Sequence, residues 1–97
     1  MGDAAYRDNL DKAARGDKDA AYLLAIAYRA GNSGVVANRL RMEQWLQISA
    51  GLGNGLACWE LSEFYNYQGR VADAAYFEKR AIENGYKPSF RLPTRGY

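Results

Sequence analysis

The chain has 97 residues, 48% apolar and 25% charged, with a formal net charge of +2 and no histidine. That suffices for one domain with a single modest core. It excludes a membrane-spanning helix, since no apolar run approaches the roughly 20 residues required, and an internal disulfide, since Cys58 is alone.

Five helical segments are predicted, in an all-α fold. The first runs from about Asp3 to Arg15, with Tyr6, Leu10, Ala13 and Ala14 at helical spacing and Gly16 as its stop. Asp17 reads as the N-cap of a second helix over 18–30, with Asp19 in its first turn. That helix is apolar nearly all round, which predicts packing on more than one side. Its alanines at 20, 21, 25 and 27 allow close approach, and Leu23, Leu24, Ile26 and Tyr28 supply contacts.

Gly31-Asn32-Ser33-Gly34 ends the second helix, and Asn38 caps a third over about 39–52, whose predicted buried stripe is Leu40, Trp45, Ile48 and Leu52. Asn54 caps a fourth over 55–67, built on Leu56, Ala57, Leu61, Phe64 and Tyr65. Gly69 leads to a fifth over 71–84, with Ala74, Phe77, Ala81 and Ile82. Pro88 and Pro93 then predict an extended tail. The basicity sits in that tail. Residues 1–86 hold 10 basic and 11 acidic groups, a balance of −1, while Lys87, Arg91 and Arg95 bring +3.

The helices repeat. Gly16, Ala20, Tyr22, Leu24 and Tyr28 return 37 positions later as Gly53, Ala57, Trp59, Leu61 and Tyr65. Trp45, Ser49 and Gly53 return 32 positions later as Phe77, Ala81 and Gly85. A period in the thirties made of two helical segments is the mark of a short α/α solenoid. The expected organisation is one α/α-repeat domain over 1–86, with a capping helix at 1–16, repeats at 17–53 and 54–86, and a basic extended tail at 87–97.

These residues resemble the Sel-one-like repeat family, relatives of the tetratricopeptide repeats. The first repeat follows that pattern through Ala20, Leu24, Tyr28, Gly31, Gly34-Val35, Asn38, Arg41-Met42, Trp45, Ile48-Ser49-Ala50 and Gly53. It departs from it by one extra residue in the glycine loop and by Ile48 where lysine is usual. The second keeps Ala57, Leu61, Tyr65, Gly69, Phe77, Arg80-Ala81 and Gly85, with a shorter inter-helix loop closer to a tetratricopeptide unit. The resemblance spans about residues 17–86. It implies a superhelical scaffold for protein interaction, with no shared catalytic residues and no cofactor.

The residue inventory points the same way. Without histidine, the usual general base, the Ser-His and Cys-His arrangements and the commonest transition-metal ligand are missing. Cys58 aligns with Ala21, a small packed position rather than a reactive thiol. No metal-ligand spacing is present. Glu60 and Glu63 lie one turn apart, as an acid–base pair would, but read better as a solvated or partner-facing surface. The glycine loop lacks the lysine and preceding strand of a phosphate loop.

The reading is therefore of a non-enzymatic protein-interaction module whose partner is another protein. Its expected partner-binding residues are Arg29, Arg39 and Arg41 around the glycine loop, Glu60, Glu63 and Tyr67 toward the other end of a groove, and Tyr76 as a surface anchor. Arg39 and Arg41 sit unfavourably at a helix N-terminus, which suggests a contact that retains them. So small a chain suits an inhibitor or antagonist, immunity-type or phage-encoded, acting in the cytoplasm by steric occlusion; the absence of a secretion-signal pattern at Met1–Ala5 and the single thiol support that compartment. The alternative is nucleic-acid association through Lys87, Phe90, Arg91 and Arg95 of the tail. A third reading is a fragment of a longer array, with a homodimer through an uncapped repeat end. No membrane partner is expected.

Overall fold

Short polar side chains start three of the helices by satisfying N–H groups that the first turn leaves open. Asp17 accepts from the amides of Asp19 and Ala20 at 2.9 and 3.0 Å, Asn38 from Arg41 at 3.0 Å, and Asn54 from Ala57 at 2.8 Å. In the computed structural model, which describes residues 4–88, the elements are α1 (Ala4–Ala14), α2 (Lys18–Ala30), α3 (Arg39–Gly51), α4 (Gly55–Tyr67) and α5 (Val71–Glu83). Among the described residues there is no strand. None of these helices is long and apolar enough to cross a membrane.

The helix boundaries repeat with the sequence. α4 begins and ends 37 positions after α2 (Lys18 to Gly55, Ala30 to Tyr67), and α5 begins and ends 32 positions after α3 (Arg39 to Val71, Gly51 to Glu83). Successive helices run antiparallel. Tyr28 O accepts from Asn38 N at 2.9 Å while Lys18 O accepts from Ser49 Oγ at 2.7 Å, joining opposite ends of α2 and α3. Glu43 meets Tyr65 and Ala50 meets Cys58 in the same reversed sense between α3 and α4. Each helix packs chiefly on its neighbours in the chain, in a body 49 × 24 × 23 Å.

The core follows the repeat positions. Ala20, Ala21, Leu24, Ala25 and Tyr28 on α2 are buried, and so are Ala57, Cys58, Leu61, Ser62 and Tyr65 in the same places on α4. The small residues let helices approach closely, and each fully buried leucine contributes roughly 1.5–3 kcal/mol. Gly31 closes α2 at φ 73°, donating to Ala27 O at 2.8 Å; a Cβ there would lie 3.1 Å from the backbone nitrogen of Ala37. Only glycine fits both the left-handed turn and that approach.

Several expected core residues lie outside the core. On α3 the buried positions are Met42, Leu46, Ser49 and Ala50, whereas Leu40, Ile48 and Leu52 are exposed and Trp45 is half-buried. The buried stripe is out of phase with the expected one: α3 turns Met42, Leu46 and the small Ser49 and Ala50 toward α2 and α4, and leaves the bulkier Leu40, Ile48 and Leu52 outside. Ser49 is buried since its hydroxyl reaches Lys18 O, which a larger side chain would block. Leu23, Leu56 and Ile82 are exposed as well, and Ile26 and Phe64 are half-buried.

Candidate protein-binding groove

The antiparallel course of three helices gathers the last turn of α2, the first turns of α3 and the second half of α4 at one pole. A groove of about 480 Å³ opens there. Met42 and Leu46 of α3 and Phe64 of α4 provide its apolar surface. Arg29, Arg39, Glu60, Glu63 and Tyr67 line the remainder.

Glu60 is not a free carboxylate. Its Oε1 accepts from Arg29 Nη1 at 2.9 Å, and its Oε2 accepts from the Tyr22 hydroxyl at 2.6 Å. The Glu60 side chain is 19% exposed, against 50% for Arg29, so the pair is only partly screened by water. Burial, reinforced by the Glu60 carboxylate, pushes the Tyr22 hydroxyl up to about 12. This triad ties α2 to α4 beneath the groove rim.

Glu63 and Arg39 are exposed and make no ion pair among the described residues. Tyr67 is 88% exposed at the C-terminal end of α4. The groove thus offers an apolar floor, a cation on the α3 side, a carboxylate on the α4 side, and an amphipathic aromatic ring.

The sequence placed the arginines and the Glu60–Tyr67 group toward opposite ends of a groove. The structure brings Arg29, Arg39, Glu60, Glu63 and Tyr67 into one, because α3 starts where α4 ends. Arg41 and Tyr76 do not join them. The Arg41 guanidinium lies 6.0 Å from the centre of the Tyr28 ring, and the residue borders a separate depression with Trp45 and Ile48. Tyr76 stands on α5, edge-on to Phe77 at 5.0 Å, its hydroxyl accepting from Arg80 at 3.1 Å. Of the tail residues, Lys87 is exposed, while Phe90, Arg91 and Arg95 lie outside the described residues.

The apolar floor was missing from the sequence reading of the site. Met42 and Leu46 sit one helical turn apart, but the more conspicuous Trp45 and Ile48 pointed to another face. A second polar cluster supports α3 against α4: the Tyr65 hydroxyl donates to Glu43 Oε2 at 2.7 Å and accepts from Gln47 Nε2 at 2.7 Å. Burial and the Glu43 contact raise the Tyr65 hydroxyl above its usual value. The Arg70 guanidinium covers the ring at 4.3 Å. Cys58 is fully enclosed, and burial pushes its thiol up, away from the thiolate that reaction requires.

Among the described residues, no group of three or more His, Cys, Asp or Glu side chains could hold a metal ion. Family models, curated proteins and solved structures yield no match to the chain.

Proposed function

We propose that this chain is a non-catalytic protein-interaction module of the Sel-one-like, tetratricopeptide-related type. It holds a segment of another protein in the α2–α4 groove and acts as a small cytoplasmic inhibitor or antagonist by occluding that partner. The observation that carries this reading is the exposed Arg39 and Glu63, which form no ion pair among the described residues, on either side of the Met42–Leu46–Phe64 floor. Side chains that already satisfy one another have less to offer a partner, whereas these two rims are available for charge-assisted contacts beside an apolar anchor.

The test is affinity capture with the wild-type chain and an Arg39→Glu/Tyr67→Ala variant, both checked for helical content, with a nuclease-treated parallel. The reading expects one protein partner that survives nuclease and is lost on the variant. Equal capture by the variant removes the groove from the interaction. Loss on nuclease treatment makes nucleic acid the partner instead.

A further inference from the structure

The chain that leaves α5 crosses the first turns of α4. Tyr86 stacks on Trp59 with ring centres 5.2 Å apart, and its Cβ would lie 3.0 Å from a Cβ on Gly55. Beyond Trp59, α4 carries Glu63 and Tyr67 at successive four-residue steps, which sets all three on one face of the helix. That ridge leads from the Tyr86 contact into the groove, because Glu63 and Tyr67 line it. The way is short. From Trp59 to Tyr67 is about 12 Å of helix, and residues 89–97, which follow Pro88, reach about 30 Å when extended.

We propose that residues 89–97 of this chain occupy the groove from within the same molecule, with Phe90 and Leu92 on the apolar floor and Arg91 at Glu63. The charges agree. Glu63 is exposed and forms no ion pair among the described residues, whereas Glu60 is already held by Arg29 and Tyr22. Residues 87–97 carry Lys87, Arg91 and Arg95 and no acid. The spacing agrees as well. Pro93 favours extended backbone at the residue before it, and on extended backbone Phe90 and Leu92 share one side while Arg91 takes the other. Met42, Leu46 and Phe64 form an apolar floor with the exposed Glu63 beside it, so apolar side chains meet the floor and the guanidinium meets the rim. Arg39 finds no acid in this segment, so the docked tail leaves the α3 side of the groove unsatisfied. A partner segment that brings both an apolar side chain and a carboxylate displaces it, and the tail then acts as an autoinhibitory strap. That consequence rests on the groove being the partner's site; the docking itself does not.

The test is nuclear magnetic resonance of the full chain carrying a nitroxide on Thr94→Cys. Cys58 is enclosed, so the label attaches at the new thiol alone. The oxidised label broadens the Met42 methyl and Phe64 ring signals relative to the reduced label. Arg91→Glu abolishes that broadening, and Arg91→Glu/Glu63→Arg restores it. Equal linewidths with oxidised and reduced label overturn the proposal. So does broadening that survives Arg91→Glu or is not restored by the charge exchange. Broadening that falls on Val71 and Ile82 instead would place the tail on α5, and broadening that grows with protein concentration would give the groove to another copy's tail; either result overturns it too. No partner enters this measurement. An empty groove therefore leaves the partner reading standing, and a docked tail stands whether or not a partner protein is captured.

Discussion

α3 and α5 are one helix of the repeat placed in two surroundings. Where they face the preceding helix, matched residues agree: Met42 and Ala74 are buried, Trp45 and Phe77 half-buried, Ser49 and Ala81 fully enclosed. Where α3 faces the following helix, agreement ends. Leu46 is 2% exposed but its counterpart Glu78 is in solvent; Ala50 is 2% exposed but Ile82 is half in water. A repeat position therefore specifies packing within its own hairpin, and the next hairpin decides the flank. Glu78 shows the sequence adapting to that difference, because an unpaired carboxylate could not be buried where Leu46 is.

The largest break in this comparison comes from paired truncations. Leu46→Ala should cost about 2–4 kcal/mol, since α4 closes over the cavity, while Glu78→Ala stays within about 0.5 kcal/mol. Urea unfolding of both variants measures the contrast; equal effects would mean that α4 does not enclose Leu46.

Next is Gly55, whose repeat partner Lys18 carries a long exposed side chain. A Cβ on Gly55 would fall 3.0 Å from Tyr86 Cβ and 3.1 Å from the carbonyl oxygens of Ala81 and Asn84. The chain leaving α5 crosses here, with Tyr86 stacked on Trp59 at 5.2 Å. Gly55→Ala should lose about 1–3 kcal/mol by overpacking against backbone that cannot yield easily. The loss appears as a lower melting temperature, and Lys18→Ala should leave that temperature nearly unchanged.

A smaller effect sharpens the link between repeats. Asn54 both caps α4 and donates to Asp19 Oδ1 at 3.0 Å in the first turn of α2. Asn54→Ala should cost about 1–2 kcal/mol, and Asn54→Asp, which keeps the cap but sets two carboxylates together, should recover only part of it. Full recovery in thermal unfolding would show that the Asp19 contact contributes nothing.

The smallest effect at neutral pH is that of Tyr22→Phe, which becomes visible in alkali. The folded hydroxyl titrates near 12, above its ordinary value of 10.0. Its contribution is therefore complete below pH 10 and lost as pH rises toward 12. Tyr22→Phe should flatten that part of the stability profile; an unchanged slope would mean that the Tyr22–Glu60 bond has no part in it.

The local code was legible in the residues. Asp17, Asn38 and Asn54 mark helix starts because capping depends on the side chain and the amides within three residues of it. The spacing of Ala20, Leu24 and Tyr28, and of Ala57, Leu61 and Tyr65, marks the buried face for the same local reason. The phase of α3 is not legible in the same way, because exposed Leu40 and Ile48 outweigh buried Ser49 and Ala50 in apolar bulk. Only close helix approach explains why the small residues lie inside.

By itself, then, the sequence determined five helices, the side-chain caps of α2, α3 and α4, the 37- and 32-position offsets and the exclusion of histidine chemistry. The tertiary structure decided that Arg39 and Glu63 share a groove, that Glu60 is held by Arg29 and Tyr22, and that Val71 and Ile82 are left open. The division has a physical cause. Capping and periodicity act within one or two helical turns, whereas grooves and open flanks depend on which distant helix lies alongside.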